Sequence, residues 1–483
     1  MKFEEELFNL RLINYGPSYK DFSPDYVIAS FTRSVFGRNV EKILEDINIS
    51  KASRIIERSA KRGHGSIYPM SVFWFVASGS RFLDKFLTPI PHGNFLVLSS
   101  RFAKLSEKNS VIPRVLERRK ELEEYKNIVR RQYNVYENLQ KEGIPREATR
   151  KILGSHFFTQ VSGLIPLNYV FALEYLYRRD QNYWPYEICL LVNRLNEIAE
   201  KISPMLYEAG KKFGNLMTPS WSTIYKPSNK SLGLNKSEIE ELLEGNVIVK
   251  INEENGAFEE IYDLVKTIRK SFDSKNPNKI ALSLRNSIEN LNKELYIITY
   301  FASSIAVNGE VKRHRTMRRI EESIIDAIND YLSEREKRVH APPHLRGKEK
   351  REYLECFEKS ISLYQKLIRG ISCGDALRVV PEGLKVIQKI VFRAEDLLHP
   401  FGFFGRRSCS KAEYEMREIS EKIVEKILEY VKENYEERVY ETLKKVIGPT
   451  CKIGYCPEVN FCQKIFEFNP RYGIELHKLV NRV

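Results

Sequence analysis

The chain has 483 residues, too many for one ordinary hydrophobic core, and a formal net charge of +14. This length indicates two to three domains, and the charge favours anionic partners such as nucleotides, phosphorylated cofactors or nucleic acid. No run approaches the roughly 20 consecutive apolar residues that span a bilayer. The start, MKFEEE, lacks the basic-then-apolar order of a signal peptide, so we expect a cytoplasmic protein without a membrane segment.

The N-terminal part of the chain reads as helices around one apolar strand. Residues 38 to 62 have helical periodicity, and the breaker-rich turn Gly63 to Ser66 ends that helix. Residues 72 to 77 are apolar without alternation, which predicts a strand buried on both faces. Further helices are predicted at 115–142, from Pro145 onward, at 168–179 and at 186–213.

A polar stretch rich in Pro, Ser and Asn at 219–236 predicts a linker. The predicted domains are therefore 1–218 and 237–483. In the second domain, residues 295–301 form another apolar, β-prone run. Helices are predicted on either side of it, at 254–272, 279–293, 316–336, 348–369, 384–398 and 411–446.

A dense basic cluster follows the second apolar run. Arg313, His314 and Arg315 are followed at short spacing by Glu321 and Ser323. Arginine offers planar bidentate donors for phosphate, and histidine can carry a proton near neutral pH, so this composition is typical of a site for a multiply anionic ligand. The competing interpretation is a solvated basic helix start.

Three of the seven cysteines lie close together near the C-terminus, as Cys451, Cys456 and Cys462. Zinc and iron–sulfur sites generally use tighter pairs, of the CxxC type, than this Cys-x4-Cys-x5-Cys spacing. We therefore expect reduced thiols or a disulfide of the kind found in thermophiles, and no metal site. The Lys-, Ile- and Glu-rich composition is compatible with a thermophile.

The order of elements repeats along the chain. Ser99 and Ser323 differ by 224 positions, and the same offset lays the first apolar run on the second. Three further pairs differ by 228 positions: Arg150 and Arg378, Arg179 and Arg407, and Glu187 and Glu415. One net insertion of four residues reconciles the two offsets. The sequence therefore predicts a tandem duplication of one α+β domain.

Both halves resemble the flavin-dependent thymidylate synthases (ThyX family), whose signature is Arg-His-Arg followed by spaced Ser, Glu, Ser and Arg. The C-terminal half keeps Arg313-His314-Arg315, Glu321 and Ser323 but has Ile325 in place of the final arginine. The N-terminal half keeps Ser99 and Arg101 but has Pro89-Ile90-Pro91 in place of Arg-His-Arg. The turn at Gly63 to Ser66 resembles the family's Gly-His-Glu-Thr/Ser, and residues 144–188 follow its downstream pattern of Pro-Arg-Glu, Arg, Asn, Arg and Glu-Ile.

The resemblance implies two tandem copies of a helix-rich domain with a small antiparallel sheet. It also implies a homodimer of the tandem chain as the counterpart of the family's homotetramer. Reductive methylation of dUMP would use FAD, NADPH and methylenetetrahydrofolate. Carried over by position, the cofactor candidates are Arg313, His314, Arg315, Ser66 and Asn168, of which the first three are also the catalytic candidates. The dUMP candidates are Ser99, Arg101, Arg150, Arg179, Glu321, Ser323, Arg378 and Arg407.

The losses in each half leave three hypotheses open. The first is a working enzyme whose composite sites combine the C-terminal Arg-His-Arg with five N-terminal residues, Ser99, Arg101, Arg150, Asn168 and Arg179. The second is a diverged paralogue that binds flavin or nucleotide without thymidylate synthase activity. The third is a basic nucleic-acid-binding protein, based on the charge of +14 and the aromatic-rich basic segments 114–136 and 335–351.

Overall fold

The structure is a computed structural model of the chain. It describes residues 1–37, 39–90, 93–213, 232–254, 256–271, 288–312, 314, 317–398, 402–453, 456–460 and 462–468. The chain forms two compact units. Unit 1 consists of Met1–Lys226 and Ala341–Gly383, and unit 2 of Pro227–His340 and Leu384–Val483. Most of the predicted linker, 219–236, lies outside the described residues.

Unit 1 is built around a four-stranded antiparallel sheet. Unit 1 contains six strands among its described residues: β1 (Lys2–Phe3), β2 (Asn9–Gly16), β3 (Val72–Ser80), β4 (Asn94–Val97), β5 (Val111–Ile112) and β6 (Phe158–Pro166). The sheet has the order β2, β3, β6, β4, while β1 and β5 form a separate parallel pair. The two central strands are therefore β3 and β6.

The first apolar run is the central strand β3, as predicted, but it is not buried on both faces. Phe73, Phe75 and Ala77 are buried, whereas Trp74 is 41% exposed. Successive side chains of a strand point to opposite faces, so a sheet with one covered face buries only alternate residues. The expectation of burial on both faces is wrong at Trp74.

Two long helices predicted in unit 1 are each interrupted. The region 38–62 contains helices Val40–Asp46 and Ile49–Lys61, and the Asn48 side chain caps the second by accepting from the Lys51 amide at 3.0 Å. The region 186–213 breaks at Ser203, because Pro204 has no amide hydrogen to continue the ladder. The remaining helices of the N-terminal segment are Glu4–Leu7, Pro24–Ser34, Phe82–Leu87, Leu122–Lys141, Arg146–Thr149 and Leu167–Arg179.

The segment Ala341–Gly383 belongs to unit 1 although it follows the strands of unit 2 in sequence. Its long helix, Gly347–Leu367, packs against helix Leu122–Lys141. A short helix, Cys373–Ala376, and the turn Leu377–Val379 follow. The backbone then bonds to residues 151–153: the amides of Glu382 and Gly383 donate to the carbonyls of Leu153 and Lys151 at 2.9 and 2.7 Å.

Unit 2 has its own four-stranded antiparallel sheet. Its strands are β7 (Val247–Glu253), β8 (Leu295–Ser304), β9 (Arg318–Glu321) and β10 (Lys385–Arg393), in the order β7, β8, β10, β9. The order repeats that of unit 1. In each sheet, the strand that comes last in sequence lies between the second and the third. The core under the sheet includes Ile297, Phe301, Ile390 and Phe392.

Two helix predictions in unit 2 are wrong. Residues 384–398 were expected to be one helix, but Lys385–Arg393 is the interior strand β10, and only Ala394–Leu398 is helical. β10 pairs with β8 on one side and β9 on the other, so tertiary pairing determines its conformation. The helix expected at 316–336 is instead the edge strand Arg318–Glu321 followed by helix Ile324–Glu334.

Further helices of unit 2 lie before, between and after its strands along the chain. They are Lys236–Leu243, Ala257–Ser271, Ile305–Val311, Phe403–Arg407, Tyr414–Asn434, Glu437–Lys444 and Ile465–Phe468, with a further helical stretch at 288–294. Within the described ranges, no helix combines the length and apolar character needed to cross a membrane.

Candidate functional site

In unit 1, three predicted nucleotide-binding residues lie in adjacent segments. Ser99 and Arg101 follow strand β4, and Arg150 ends the short helix Arg146–Thr149. Arg150 is 2% exposed, and its Nη1 donates a short hydrogen bond to the hydroxyl of Ser100. The Arg150 Nη2 is buried and has no hydrogen-bond partner among the described residues. A buried guanidinium with an unused donor is the arrangement expected where an anionic ligand supplies the missing acceptor.

The second arginine of this cluster is held by a carboxylate. Arg101 donates from Nε and Nη2 to Glu147 Oε2 at 3.0 and 2.8 Å. Arg146, one residue before Glu147, donates to the carbonyl of Phe102 at 2.7 Å. The loop after β4 is therefore fastened to the helix that carries Arg150. We call Ser99, Ser100, Arg101, Glu147 and Arg150 the unit 1 arginine cluster.

Three other predicted residues of unit 1 have different surroundings. The Asn168 Oδ1, at the start of helix Leu167–Arg179, is buried without a hydrogen-bond partner in the described chain. Arg179 binds both carboxylate oxygens of Asp180, at 3.0 and 2.6 Å. Ser66 is exposed in the turn Gly65–Ile67 and lines a large groove. The side-chain hydrogen bonds of Arg179 go to Asp180, which is not part of the unit 1 arginine cluster.

The groove that Ser66 lines is strongly basic. It has a volume of about 1250 Å³ and runs along helices Pro24–Ser34, Val40–Asp46 and Ile49–Lys61. Its basic lining residues are Arg33, Lys42, Lys51, Arg54, Arg58, Arg62 and His64, against one carboxylate, Asp46. The sequence reading missed it; the signal was the spacing of Lys51, Arg54, Arg58 and Arg62, which places these cations on one helix face.

Arg378, predicted as the duplicate of Arg150, lies in a buried ionic network of unit 1. Its side chain is 0% exposed and binds Glu4 at 2.6 Å and Glu187 at 3.1 Å. Asp375 lies 3.8 Å from its Nε. Burial raises the pKa of Glu4 to about 7, and the positive charge of Arg378 opposes that shift. A guanidinium enclosed by three carboxylates is not presented to a phosphate, so Arg378 has a structural role here.

Unit 2 brings together His314 and Arg407, two more predicted residues. Arg407 donates from Nε to His314 Nε2 at 3.0 Å, and from Nη1 and Nη2 to the side chain and carbonyl of Glu310 at 2.5 and 3.0 Å. The His314 ring packs edge-on against Phe403, with centroids 5.2 Å apart. Burial and the charge of Arg407 lower the pKa of His314 to about 3. This imidazole is therefore neutral at pH 7, with Nε2 as its acceptor.

Two of the remaining predicted residues of unit 2, Ser323 and Glu321, make hydrogen bonds within their own unit. Ser323 is buried and caps helix Ile324–Glu334, its hydroxyl accepting from the Ile325 amide at 3.1 Å. Glu321 Oε1 accepts a hydrogen bond from the side-chain Nδ2 of Asn308 at 2.5 Å. Arg313 and Arg315 lie outside the described residues.

Each unit contains a serine–glutamate pair that the sequence reading did not predict. Glu187 accepts from the amide and the hydroxyl of Ser80, both at 2.5 Å. Glu415 accepts from the amide and hydroxyl of Ser304, both at 2.6 Å. The serines are 224 positions apart and the glutamates 228 apart, so the two offsets noted in the sequence meet in one interaction. The signal in the sequence was a serine at the end of each apolar strand, repeated at an offset of 224, together with the two glutamates repeated at an offset of 228.

The amino-acid sequence is similar to that of known proteins. The sequence profile of the family described as thymidylate synthase complementing protein (Thy1) matches residues 18–205 and 251–431. A flavin-dependent thymidylate synthase of Pyrococcus furiosus is 33% identical over 117 residues, which is 23% of this chain and 45% of that protein. One from Sulfurisphaera tokodaii is 24% identical over 166 residues, 34% of this chain and 58% of that protein.

Among solved structures, a UMP/dUMP methylase from Streptomyces cacaoi, bound with 5-Br dUMP, aligns with a TM-score of 0.37 at 15% identity. That alignment covers 44% of this chain and 97% of the methylase. The chain spans less than two thirds of the length of the two thymidylate synthases named above. The two regions matched by the family profile nevertheless make up more than half of the 483 residues. The chain belongs to the thymidylate synthase complementing protein family.

Proposed function

We propose that this protein is a flavin-dependent thymidylate synthase, catalysing the reductive methylation of dUMP. The observation that carries the proposal is the unit 1 arginine cluster. Arg150 is buried, its Nη2 lacks a partner in the described chain, and Ser99 and Arg101 lie on the adjoining loop. The dianionic phosphate of dUMP supplies the acceptors that this cluster needs. The relatives that match the chain bear the name of this enzyme.

The basic groove fits the cofactor FAD. Its volume of about 1250 Å³ exceeds the roughly 300 to 1,000 Å³ of ordinary ligand pockets, and its cations suit a pyrophosphate. Ser66 and the arginines of helix Ile49–Lys61 would hold FAD there. Asn168, a cofactor candidate by resemblance, does not line this groove; its buried Oδ1 lacks a partner in the described chain. When bound, the flavin carries the reducing equivalents from NADPH that the methylation requires.

The chain's own residues bind and orient the substrates. Arg150 and Arg101 neutralise the phosphate, and the burial of Arg150 strengthens that interaction because water does not compete. The neutral His314, held by Arg407, offers a fixed imidazole at the centre of the Arg-His-Arg motif, which Arg313 and Arg315 complete in sequence. Methylenetetrahydrofolate is the proposed carbon donor.

We also propose that the chain arose by tandem duplication and assembles as a homodimer. The shared sheet order, the two serine–glutamate pairs and the two matched regions support the duplication. Light scattering during gel filtration tests the assembly: a mass of twice 56.6 kDa is expected, and a stable monomer would contradict the proposal.

The activity is tested with the purified full chain. We expect bound FAD at about one per chain, NADPH oxidation that depends on dUMP and methylenetetrahydrofolate, and formation of dTMP. Arg150→Ala and Arg313→Ala should abolish turnover. The matched control is Arg130→Ala, which removes an exposed arginine bound to Asn127 on helix Leu122–Lys141 and should retain activity.

A second candidate function is a flavin- or nucleotide-binding paralogue without this activity. It is favoured by Arg378 and Arg407, whose guanidinium groups are occupied by protein acceptors. Bound flavin without turnover of dUMP would establish this alternative. A colourless protein whose affinity for oligonucleotides falls steeply with salt would instead indicate nucleic-acid binding.

A further inference from the structure

Four cysteines of unit 2 line one cavity. Cys451, Cys456 and Cys462 were noted in the sequence, and the fold adds Cys409, which lies 42 positions before Cys451. All four are free thiols in the structure. Cys451 and Cys456 are buried, Cys409 is half-buried, and Cys462 is exposed at the rim. Four thiols from three chain segments therefore face the same small space.

The cysteine-bearing segments are fastened to each other by ordinary contacts. The hydroxyl of Thr450 donates to the carbonyl of Gly405 at 2.8 Å, which ties the turn Thr450–Ile453 to helix Phe403–Arg407. The Nζ of Lys452 donates to the carbonyls of Lys444 and Ile447, both at 2.9 Å. Helix Ile465–Phe468 packs against the same turn. The convergence of the thiols is thus a consequence of the fold.

A single metal ion and an iron–sulfur cluster make different demands on their thiolate ligands. Within the described ranges, no three His, Cys, Asp or Glu side chains are placed to hold a single metal ion. A Zn²⁺ ion with bonds of about 2.3 Å would need its thiolates roughly 4 Å apart. Thiolates of an iron–sulfur cluster stand further apart, because several iron and sulfide ions lie between them. Four thiols around one cavity, one of them Cys409 from outside the C-terminal cysteine triplet on which the sequence expectation rested, fit a cluster.

The charges around the cavity suit a cluster as well. Arg406 and Lys411 line the cavity, against one carboxylate, Glu458, among its described lining residues. A four-iron cluster ligated by four thiolates is a net anion in its oxidised form, so nearby cations stabilise it. Burial of Cys451 and Cys456 shields its sulfur ligands from solvent, while the exposed Cys462 leaves a route for assembly.

We propose that Cys409, Cys451, Cys456 and Cys462 ligate an iron–sulfur cluster of the four-iron, four-sulfide type. The cluster joins the C-terminal segment to the end of helix Phe403–Arg407, two residues before Cys409. Arg407, which holds His314, is the last residue of that helix. The site is independent of the proposed thymidylate synthase activity, because it uses none of the residues assigned to dUMP or FAD.

The test is metal analysis of the full chain purified without oxygen and reconstituted with ferrous iron and sulfide. We expect about four iron and four acid-labile sulfide per chain, together with an electron paramagnetic resonance signal after reduction with dithionite. Iron and sulfide counts distinguish the cluster from flavin, which absorbs in the same visible range. Loss of enzyme activity with the iron content intact would contradict only the proposed function.

Cys451→Ser combined with Cys456→Ser should lose most of the iron. The matched control is Cys189→Ser, which changes a cysteine of helix Tyr186–Ile202 in unit 1 and should keep the full iron content. Iron-free wild-type protein after reconstitution, zinc in place of iron, or disulfides among the four cysteines would overturn the proposal. These wild-type measurements decide the question even if the double variant does not fold.

Discussion

Arginines that the sequence predicts for nucleotide binding are found in opposite states in the two units. In unit 1, Arg150 is buried beside Ser100 and keeps Nη2 without a partner in the described chain. In unit 2, the three nitrogens of Arg407 are all bound, to His314 and to the side chain and carbonyl of Glu310. One guanidinium therefore keeps an unused donor, whereas the donors of the other are bound within the protein. Residues predicted to bind the same ligand therefore need not share a role, because function depends on which donors remain unused.

Arg378 shows a third outcome for the same residue type. It corresponds in sequence to Arg150, yet it lies with Glu4 and Glu187 inside unit 1 and is fully buried. Removing one partner of a buried ionic network is costly because the other charges remain without compensation. Substitution should therefore mainly lower folding stability at Arg378 and mainly lower ligand affinity at Arg150.

The largest effect is expected from Arg378→Met, which should lower the free energy of unfolding by about 3 to 5 kcal/mol. The substitution leaves Glu4 and Glu187 buried without their cation. Urea denaturation measures the change. The matched control is Lys366→Met, which breaks an ion pair with Glu124 whose side chains are 49% and 43% exposed. That pair should contribute at most about 1 kcal/mol. Equal effects of the two substitutions would show that Arg378 is not a core residue.

Arg150→Met should weaken dUMP binding by about 1.5 to 3 kcal/mol, which is roughly 10- to 150-fold in the dissociation constant. The reason is the loss of charge-assisted hydrogen bonds to phosphate. Isothermal titration with dUMP measures it. Arg407→Met should have a smaller effect, because its guanidinium is bound to Glu310 and His314. A larger loss in Arg407→Met would reverse the assignment of the two arginines.

Acidification should destabilise unit 2 through His314. Its pKa is lowered to about 3 by burial and by Arg407, so the folded state keeps this histidine neutral. The unfolded chain binds a proton below about pH 6.5, so the stability contribution is present above that pH and is lost as the pH falls toward 3. Between pH 7.5 and 5 the loss should be about 2 kcal/mol. His314→Asn should lack this part of the pH dependence; an unchanged profile would exclude His314 as its source.

The smallest effect is expected at Ser323. Its hydroxyl caps helix Ile324–Glu334, so Ser323→Ala should cost about 1 kcal/mol of unfolding free energy. Affinity for dUMP should stay at the wild-type value. Thermal unfolding and the same titration measure both quantities. Ser323→Asp is the conservative control, since aspartate also caps helices and should restore stability. Weaker dUMP binding in Ser323→Ala would favour a ligand role instead.

The amino-acid sequence determined the family, the α+β class and the two apolar strands, and it predicted the residues of the nucleotide motif. These features are local: hydrophobic periodicity, breakers and motif spacing act within a few tens of residues. The sequence also showed two offsets, 224 and 228, without revealing that they meet in Ser80–Glu187 and Ser304–Glu415. It placed Ser99, Arg101 and Arg150 in one site, and these segments do lie together in unit 1.

Only the tertiary structure decided which segments pack together. It assigned 341–383 to unit 1, where Gly154 allows the chain to approach: a side chain there would come within 2.1 Å of the Arg378 carbonyl. It made 385–393 a strand through pairing on both edges, and it brought Cys409 to the three C-terminal cysteines. Each of these depends on contacts between residues far apart in sequence. Their free energy comes from burial and pairing, which local propensity does not encode.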